Sequence, residues 1–463
     1  MLFLMKRVSA LILGLLFLQN LHAQQEFSLD QAIQYALVNQ NSMKQAQADV
    51  QDAEGQLLEY KASGMPTING NVRYEYNPDI AVFILPDFIG PAVDGKLLNY
   101  NLIDEDQVPP QSNAGFPAQF GTSNNLNIGA ELNALLFDGS FFVGLKAQKL
   151  YRQMVANDVN VTAQDVKLNV KKAFLAILIT ERNKEIMDRN ITNLESTLRE
   201  TKAIYENGFA EKLDVDRLQL SLNNLEIQSD KIDRLMEVSY NLLKFQMGYP
   251  IDDPISIVGD LDELLNELSA DEVIGGDFSI QARPEYAKLQ LAEELANLNI
   301  KRFKAGYLPS LYGFGRYAKQ LQRNDLFDDT DNPWFTSSTV GVSLNVPIFD
   351  GFNKKAQIQR AKVTLEETLL QRSTFEKSVK LEVYNARATY QNAKESVEST
   401  EGSLELAQNI YETTQIKYKE GVGSSVEVSQ AERELYQAQS NYTNALYELL
   451  IAKTDLDKAL GKL

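Results

Sequence analysis

From residue 138 to residue 206 the chain carries no proline, and the same is true from 350 to 420. At 1.5 Å per residue each stretch can form roughly 100 Å of unbroken helix, against ~10–14 residues for an ordinary globular helix. Apolar residues recur inside them in heptads. Val383, Tyr390, Val397, Leu404, Tyr411 and Tyr418 are seven apart, interleaved with Ala386, Ala393, Thr400, Ala407 and Thr414. The earlier stretch repeats the pattern with Ile177, Lys184, Ile191, Leu198 and Tyr205 beside Ala173, Thr180, Met187, Leu194 and Thr201. In residues 428–456 the spacing is three and four, through Val428, Ala431, Leu435, Ala438, Tyr442, Ala445, Leu449, Ala452 and Leu456. Such spacing predicts coiled-coil seams, and the Ala and Thr positions predict close helix approach. The turns between helices read NGFA (residues 207–210) and EGVG (residues 420–423). Gly208 and Gly421 suit left-handed helix C-caps. That explains the glycines but not Phe209 and Val422, apolar residues at the tips, where partner contact is the natural expectation.

The long helices belong to a duplication. Phe137-Asp138-Gly139 maps onto Phe349-Asp350-Gly351 at an offset of 212, and Tyr205-Glu206-Asn207-Gly208 onto Tyr418-Lys419-Glu420-Gly421 at 213. Upstream, KASGMPTINGNVRY (residues 61–74) resembles KAGYLPSLYGFGRY (residues 304–317) at an offset of 243. The difference of 31 places an insertion in the first copy, between Tyr76 and Asn124, in a Pro-, Gly-, Asn- and Asp-rich stretch that reads as loop. The plan is a first repeat over 24–250, a connector over 251–282 and a second repeat over 283–463. Each repeat is expected to run helix, strand, loop, strand, very long helix, tight turn, helix. The strands fall at about 66–76, 124–136, 309–318 and 338–348, and the long helices at about 139–206, 211–247, 351–420 and 424–460. In the connector a short amphipathic helix is expected around 261–268.

The strands alternate. Ile68, Gly70, Val72, Tyr74 and Tyr76 oppose Asn69, Asn71, Arg73 and Glu75, and Val340, Val342, Leu344, Val346 and Ile348 oppose Thr339, Gly341, Ser343 and Asn345. The third strand, SLYGFGRYAK, carries aromatics on both sets and assigns no face. Ten residues of apolar-out, polar-in alternation suit a tilted transmembrane barrel strand, with Asn69, Asn71, Arg73 and Glu75 toward the lumen. A soluble sandwich alternates in the same way. Four strands cannot close a lipid-spanning barrel, for which about eight is the small end, so a barrel requires several chains. In LNVPIFDGF a strand runs straight into a helix: Pro347 ends the ladder for want of an N–H, and Asp350 caps the helix that follows. The first copy, LNALLFDGS, has Leu135 in place of the proline.

Composition excludes most chemistry. The chain has no cysteine, and its single histidine, His22, lies within MLFLMKRVSALILGLLFLQNLHA. That segment has a basic n-region at Lys6 and Arg7, an apolar h-region and a small residue at Ala23, and is expected to be a secretory signal cleaved near Ala23. Without Cys there is no lipid-modified N-terminal cysteine. Without His or Cys in the mature chain there are no Ser-His-Asp triads, thiol nucleophiles or ordinary zinc sites. Carboxylate-only catalysis or an oxygen-ligand Ca²⁺ or Mg²⁺ site stays open, but an enzyme is the less favoured reading and no cofactor or metal is expected. The net charge is −18, which disfavours nucleic acid.

The duplicated plan, the P-[ST]-[IL] strand starts at Pro66 and Pro309, the two FDG joints, RPEY at residues 283–286, and the Y-x-x-G turns followed by Asp214-Val215 and Glu427-Val428 together resemble the TolC-like outer-membrane channels of efflux pumps and type I secretion systems. The resemblance covers essentially the whole mature chain. It implies a membrane α+β fold: a homotrimer pooling four strands per chain into a twelve-stranded barrel that continues into an α-helical periplasmic tunnel. It implies a periplasmic adaptor at tips corresponding to Gly208, Phe209, Gly421 and Val422, an inner-membrane transporter of RND, MFS or ABC type, and outer-membrane lipid. Gate candidates carried over are Tyr205, Asp214, Tyr418, Glu427 and Gln430, with Glu427 expected to line the closed end as a ring of three. Gly423 and Gln430 depart from the family's best-known latch, standing where an arginine and a second carboxylate can sit. The rival reading is a periplasmic or secreted coiled-coil scaffold without channel activity.

Overall fold

A computed structural model describes residues 25–86, 89–108, 115–270, 278–325, 327 and 334–463. The expected signal segment, with Lys6, Arg7, His22 and Ala23, lies outside the described residues. In chain order the elements are β1 (Gln25–Phe27), α1 (Leu29–Asn39), α2 (Asn41–Ala62), β2 (Thr67–Tyr76), β3 (Val82–Leu85), α3 (Ile89–Asn99), β4 (Phe116–Gln119) and β5 (Asn124–Phe137). Then come α4 (Gly139–Glu206), α5 (Lys212–Met247), β6 (Ile255–Ile257), α6 (Leu261–Ala270), α7 (Pro284–Ala305), β7 (Ser310–Arg323), β8 (Trp334–Asn345), α8 (Asn353–Lys419) and α9 (Ser425–Ala459). Contacts divide the chain into two units. One holds the described parts of Met1–Leu57, Ala147–Asn297 and Ala361–Leu463; the other holds those of Leu58–Lys146 and Leu298–Arg360.

The first unit is helical and its core follows the heptads. Ala173, Ile177, Leu194, Leu198, Val383, Tyr390, Ala393 and Tyr411 are buried, and Thr201 is fully so. Lys184, a charged residue in the seam, donates to Ser229 Oγ at 2.7 Å and to Asp233 at 3.0 Å, which satisfies its ammonium between α4 and α5. Phe174, Leu175 and Ile177 of α4 pack with Leu243 and Met247 of α5, with Ala32 and Ala36 of α1, and with Ile255 and Leu261 of the connector. The connector also contributes β6, which pairs in parallel with β1, a strand that three residues of sequence do not announce. Among the described residues no helix is long and apolar enough to cross a membrane.

The second unit is built on a four-stranded antiparallel sheet in the order β2-β5-β7-β8. Its register assigns the faces. Ile68, Val72 and Tyr74 lie opposite Leu132, Ile128 and Leu126, while Asn69, Asn71, Arg73 and Glu75 lie opposite Glu131, Gly129, Asn127 and Asn125. For the ambiguous strand, Gly313, Gly315 and Tyr317 join the apolar face and Phe314 and Arg316 the polar one. β7 runs five residues past its expected end, because residues 319–323 remain paired with β5, and Lys319, Gln320 and Leu321 with β8 as well. β8 starts and ends earlier than expected. Its last ladder pair is Asn345 with Ser310, so pairing stops two residues before Pro347. In the first copy, where Leu135 replaces the proline, the ladder continues through a bulge to Phe137. The insertion is not bare loop: β3 and β4 form a hairpin and α3 fills much of the connection.

The two joints differ. Asp138 Oδ1 accepts from Ser140 N at 2.7 Å and Phe141 N at 3.1 Å, and α4 starts at once. Asp350 accepts from Lys354 N at 3.0 Å and Lys354 Nζ at 3.1 Å, yet α8 begins only at Asn353. Gly351 and Phe352 intervene with φ of 65° and 66°. A left-handed phenylalanine is held at a cost of ~1–2 kcal/mol; here it stacks edge-on against Phe349.

Candidate functional site: the helix turns and the sheet faces

The two turns are built alike. Gly208 N donates to Tyr205 O and Phe209 N to Ile204 O; Gly421 N donates to Tyr418 O and Val422 N to Lys417 O. Both glycines have φ near +75°, the left-handed region that a side chain penalises. Phe209 and Val422 project from these turns, 86% and 78% exposed.

Past each turn the returning helix opens with a carboxylate, and the two carboxylates do different work. Asp214 Oδ2 accepts from Glu211 N at 3.2 Å, while its Oδ1 accepts from Ser425 Oγ and lies 4.0 Å from Arg217 Nη1. Arg217 also donates to Ser425 Oγ at 3.4 Å. Asp214 therefore ties the first turn of α5 to the first turn of α9. Glu427 likewise closes a capping box, with Ser424, but its hydrogen bonds stay at the start of its own helix. Gln430 bonds to Glu434 and Arg433, also within α9. Tyr418 Oη lies 3.4 Å from Thr201 Oγ1, and beside it Gln415 donates to Thr197 and Lys419 pairs with Glu200 at 3.2 Å, linking α8 to α4. Tyr205 is left 41% exposed. Of the sequence candidates, Asp214 and Tyr418 enter ties between helices, while Glu427 and Gln430 are occupied along α9. Ser425 and Arg217 were missed; the signal for Arg217 was its place three residues after Asp214.

Glu432 was missed too, although it lies on the same helical stripe as Val428 and Leu435. It is 1% exposed, and Tyr436 Oη donates to it at 2.7 Å. Burial raises its carboxyl above the usual 4.5, against the Tyr436 bond and the charge of Arg433. Burial and the charge of Glu432 in turn push the Tyr411 phenol up to about 12. The unfolded chain releases this proton first, so stability falls as pH rises from 4.5 through the folded value. Glu432→Gln is expected to melt higher than the parent at neutral pH, with the difference vanishing well below pH 4.5, where the parent carboxyl is neutral in both states. Circular-dichroism melts across that range check this.

On the sheet, the polar face carries Asn69, Asn71, Arg73 and Glu75, with Arg73 3.6 Å from Glu75. Both edges of the sheet are open: β2 is exposed along all ten residues and β8 along eleven of its twelve.

Residues 278–462 match the family model described as Outer membrane efflux protein. The chain is 23% identical over 372 residues to Outer membrane protein TolC of Vibrio cholerae, covering 79% of this chain and 80% of that one. It is 20% identical over 294 residues to Alkaline protease secretion protein AprF of Pseudomonas aeruginosa, covering 63% and 60%. The fold is similar to that of CusC, with a TM-score of 0.71 at 16% identity over 94% of this chain and 92% of that one. It is also similar to that of VceC from Vibrio cholerae, with a TM-score of 0.68 at 15% identity over 94% and 96%. These findings bear out the resemblance to TolC-like channels.

Proposed function

We propose that the chain is the outer-membrane channel of a tripartite efflux or type I secretion assembly, a passive exit duct for cargo delivered by an inner-membrane transporter through a periplasmic adaptor. One observation carries this reading: a four-stranded sheet with one apolar face and two open edges, whose strands β5 and β8 each lead into a helix of about 100 Å. An open edge in lipid would leave backbone groups unpaired. β2 and β8 run in opposite directions, so β8 of one copy and β2 of the next extend the sheet antiparallel, and three copies make twelve strands. A soluble scaffold has no use for an apolar sheet face with open edges. Phe209 and Val422, with Gly208 and Gly421, would present the adaptor surface. The tie of Asp214 to Ser425 would hold the turns closed, and Glu427, Gln430, Tyr205 and Tyr418 remain secondary gate candidates.

Single-channel recording in planar bilayers tests both parts. The parent should give small, discrete openings, and Asp214→Ala should raise conductance several-fold by releasing the first turn of α9. A protein that gives no channels, and that is released from cells by osmotic shock rather than detergent, would be the scaffold instead.

A further inference from the structure

The folded insertion has no counterpart in the second copy, and it exposes a run of large apolar side chains: Val82, Phe83, Ile84, Val93, Tyr100 and Phe120. Its base is fixed to the sheet. Asn77 N donates to Ser123 O at 2.7 Å, Ser123 N to Asn324 Oδ1 at 3.2 Å, and Asn124 Nδ2 to Asn324 O at 2.9 Å. Monomeric surfaces rarely expose apolar groups in such density without a partner.

The sheet register says where that partner is. The insertion leaves β2 at Tyr76, the outer end of one open edge, and the other open edge begins at Trp334 and Phe335, 38% and 59% exposed. Because β2 and β8 run in opposite directions, pairing these edges between copies sets the Tyr76 end of β2 beside the Trp334 end of β8. We infer that the insertion is an intersubunit clasp whose apolar side chains cover Trp334 and Phe335 of a second copy of this chain. This rests on the trimeric barrel reading and extends the strand seam beyond the ladder. Asp79, Asp104, Glu105 and Asp106 are exposed on the same segment; their charge opposes seating on a surface of anionic lipid headgroups, and a neighbouring subunit makes no such demand.

The absence of cysteine makes the test clean. Ile84→Cys/Phe335→Cys, purified in detergent as an intact oligomer, is treated with a short bis-maleimide and boiled in SDS, with each single variant as control. The expected result is a ladder of covalent dimer and trimer from the double variant only. Replacing residues 78–122 by a short glycine-serine turn should also lower the temperature at which the SDS-resistant oligomer dissociates. An SDS-resistant oligomer that yields no ladder, and whose dissociation temperature is unchanged by the replacement, overturns the clasp and leaves the trimer standing. If the parent forms no SDS-resistant oligomer, the trimeric reading fails and the clasp with it.

Discussion

Arginine in place of Val340 is expected to prevent assembly in the outer membrane, while arginine one residue earlier, at Thr339, is tolerated. Val340 is 90% exposed at the middle of β8 and lies opposite Gly315, on the face that carries Ile68, Val72, Ile128 and Leu132. Thr339 lies opposite Arg316, on the face of Asn71 and Arg73. An arginine on the lipid face at mid-depth costs ~2–4 kcal/mol. A closed trimer carries three of them, so the penalty is comparable to the whole stability of a typical domain, ~5–15 kcal/mol. On the lumen side the same charge stays in water and should reduce preference for cations. Fractionation of outer membranes and the SDS-resistant oligomer report the first effect, and reversal potentials the second. Equal assembly of the two variants would remove the assignment of faces.

The second large effect is expected at Arg283. Its side chain is 4% exposed and bonds Glu285 at 3.0 Å, Glu382 at 3.1 Å and the carbonyl of Ala459 at 3.3 Å. One guanidinium thus fastens the start of α7 to α8 and to the end of α9. Glu285 and Glu382 keep part of their surface in water, 23% and 41% exposed. Arg283→Met should therefore cost less than the ~3–5 kcal/mol of breaking a fully buried pair, but should still lower the denaturation midpoint. Burial acts to raise the Glu285 carboxyl, but the hydrogen bond and charge of Arg283 outweigh it and leave it below the usual 4.5. This contribution is complete above 4.5 and is lost as pH falls through the folded value. The variant should lose that acid-side decline. Arg283→Met/Glu285→Gln should be more stable than Arg283→Met alone, since it no longer buries an unpaired carboxylate.

The sequence spoke most clearly where one period governed many residues. Seven-residue spacing placed Val383, Tyr390 and Tyr411 in seams because helix packing demands it at every turn. Alternation placed Asn69, Asn71, Arg73 and Glu75 on one face for the same reason. SLYGFGRYAK was illegible alone, since aromatics suit both a lipid face and a filled lumen; only its pairing with β5 and β8 resolves it. The insertion misled because Pro, Gly, Asn and Asp mark turns whether or not a hairpin lies between them. At the candidate gate, Asp214 and Glu427 look equivalent in sequence, each three residues into its helix register. Both cap their own helix locally, Asp214 through Glu211 N and Glu427 through Ser424; they diverge because Asp214 also meets Ser425 across more than 200 residues. No spacing rule reaches that far.

In the trimer proposed above, the unlike joints would give the assembly a mechanical bias. Where Asp138 caps α4 directly, strand and helix are coupled in torsion, so a twist applied to one is transmitted to the other. Between the end of β8 at Asn345 and the start of α8 at Asn353, seven residues including Gly351 and Phe352 intervene, and their backbone dihedrals can absorb such a twist. In a closed ring the two kinds would alternate, six in all, three acting as fixed posts and three as clutches. Rotation of the second-copy helices would then leave the strands undisturbed, so the tunnel could dilate without loosening the wall that seals the membrane.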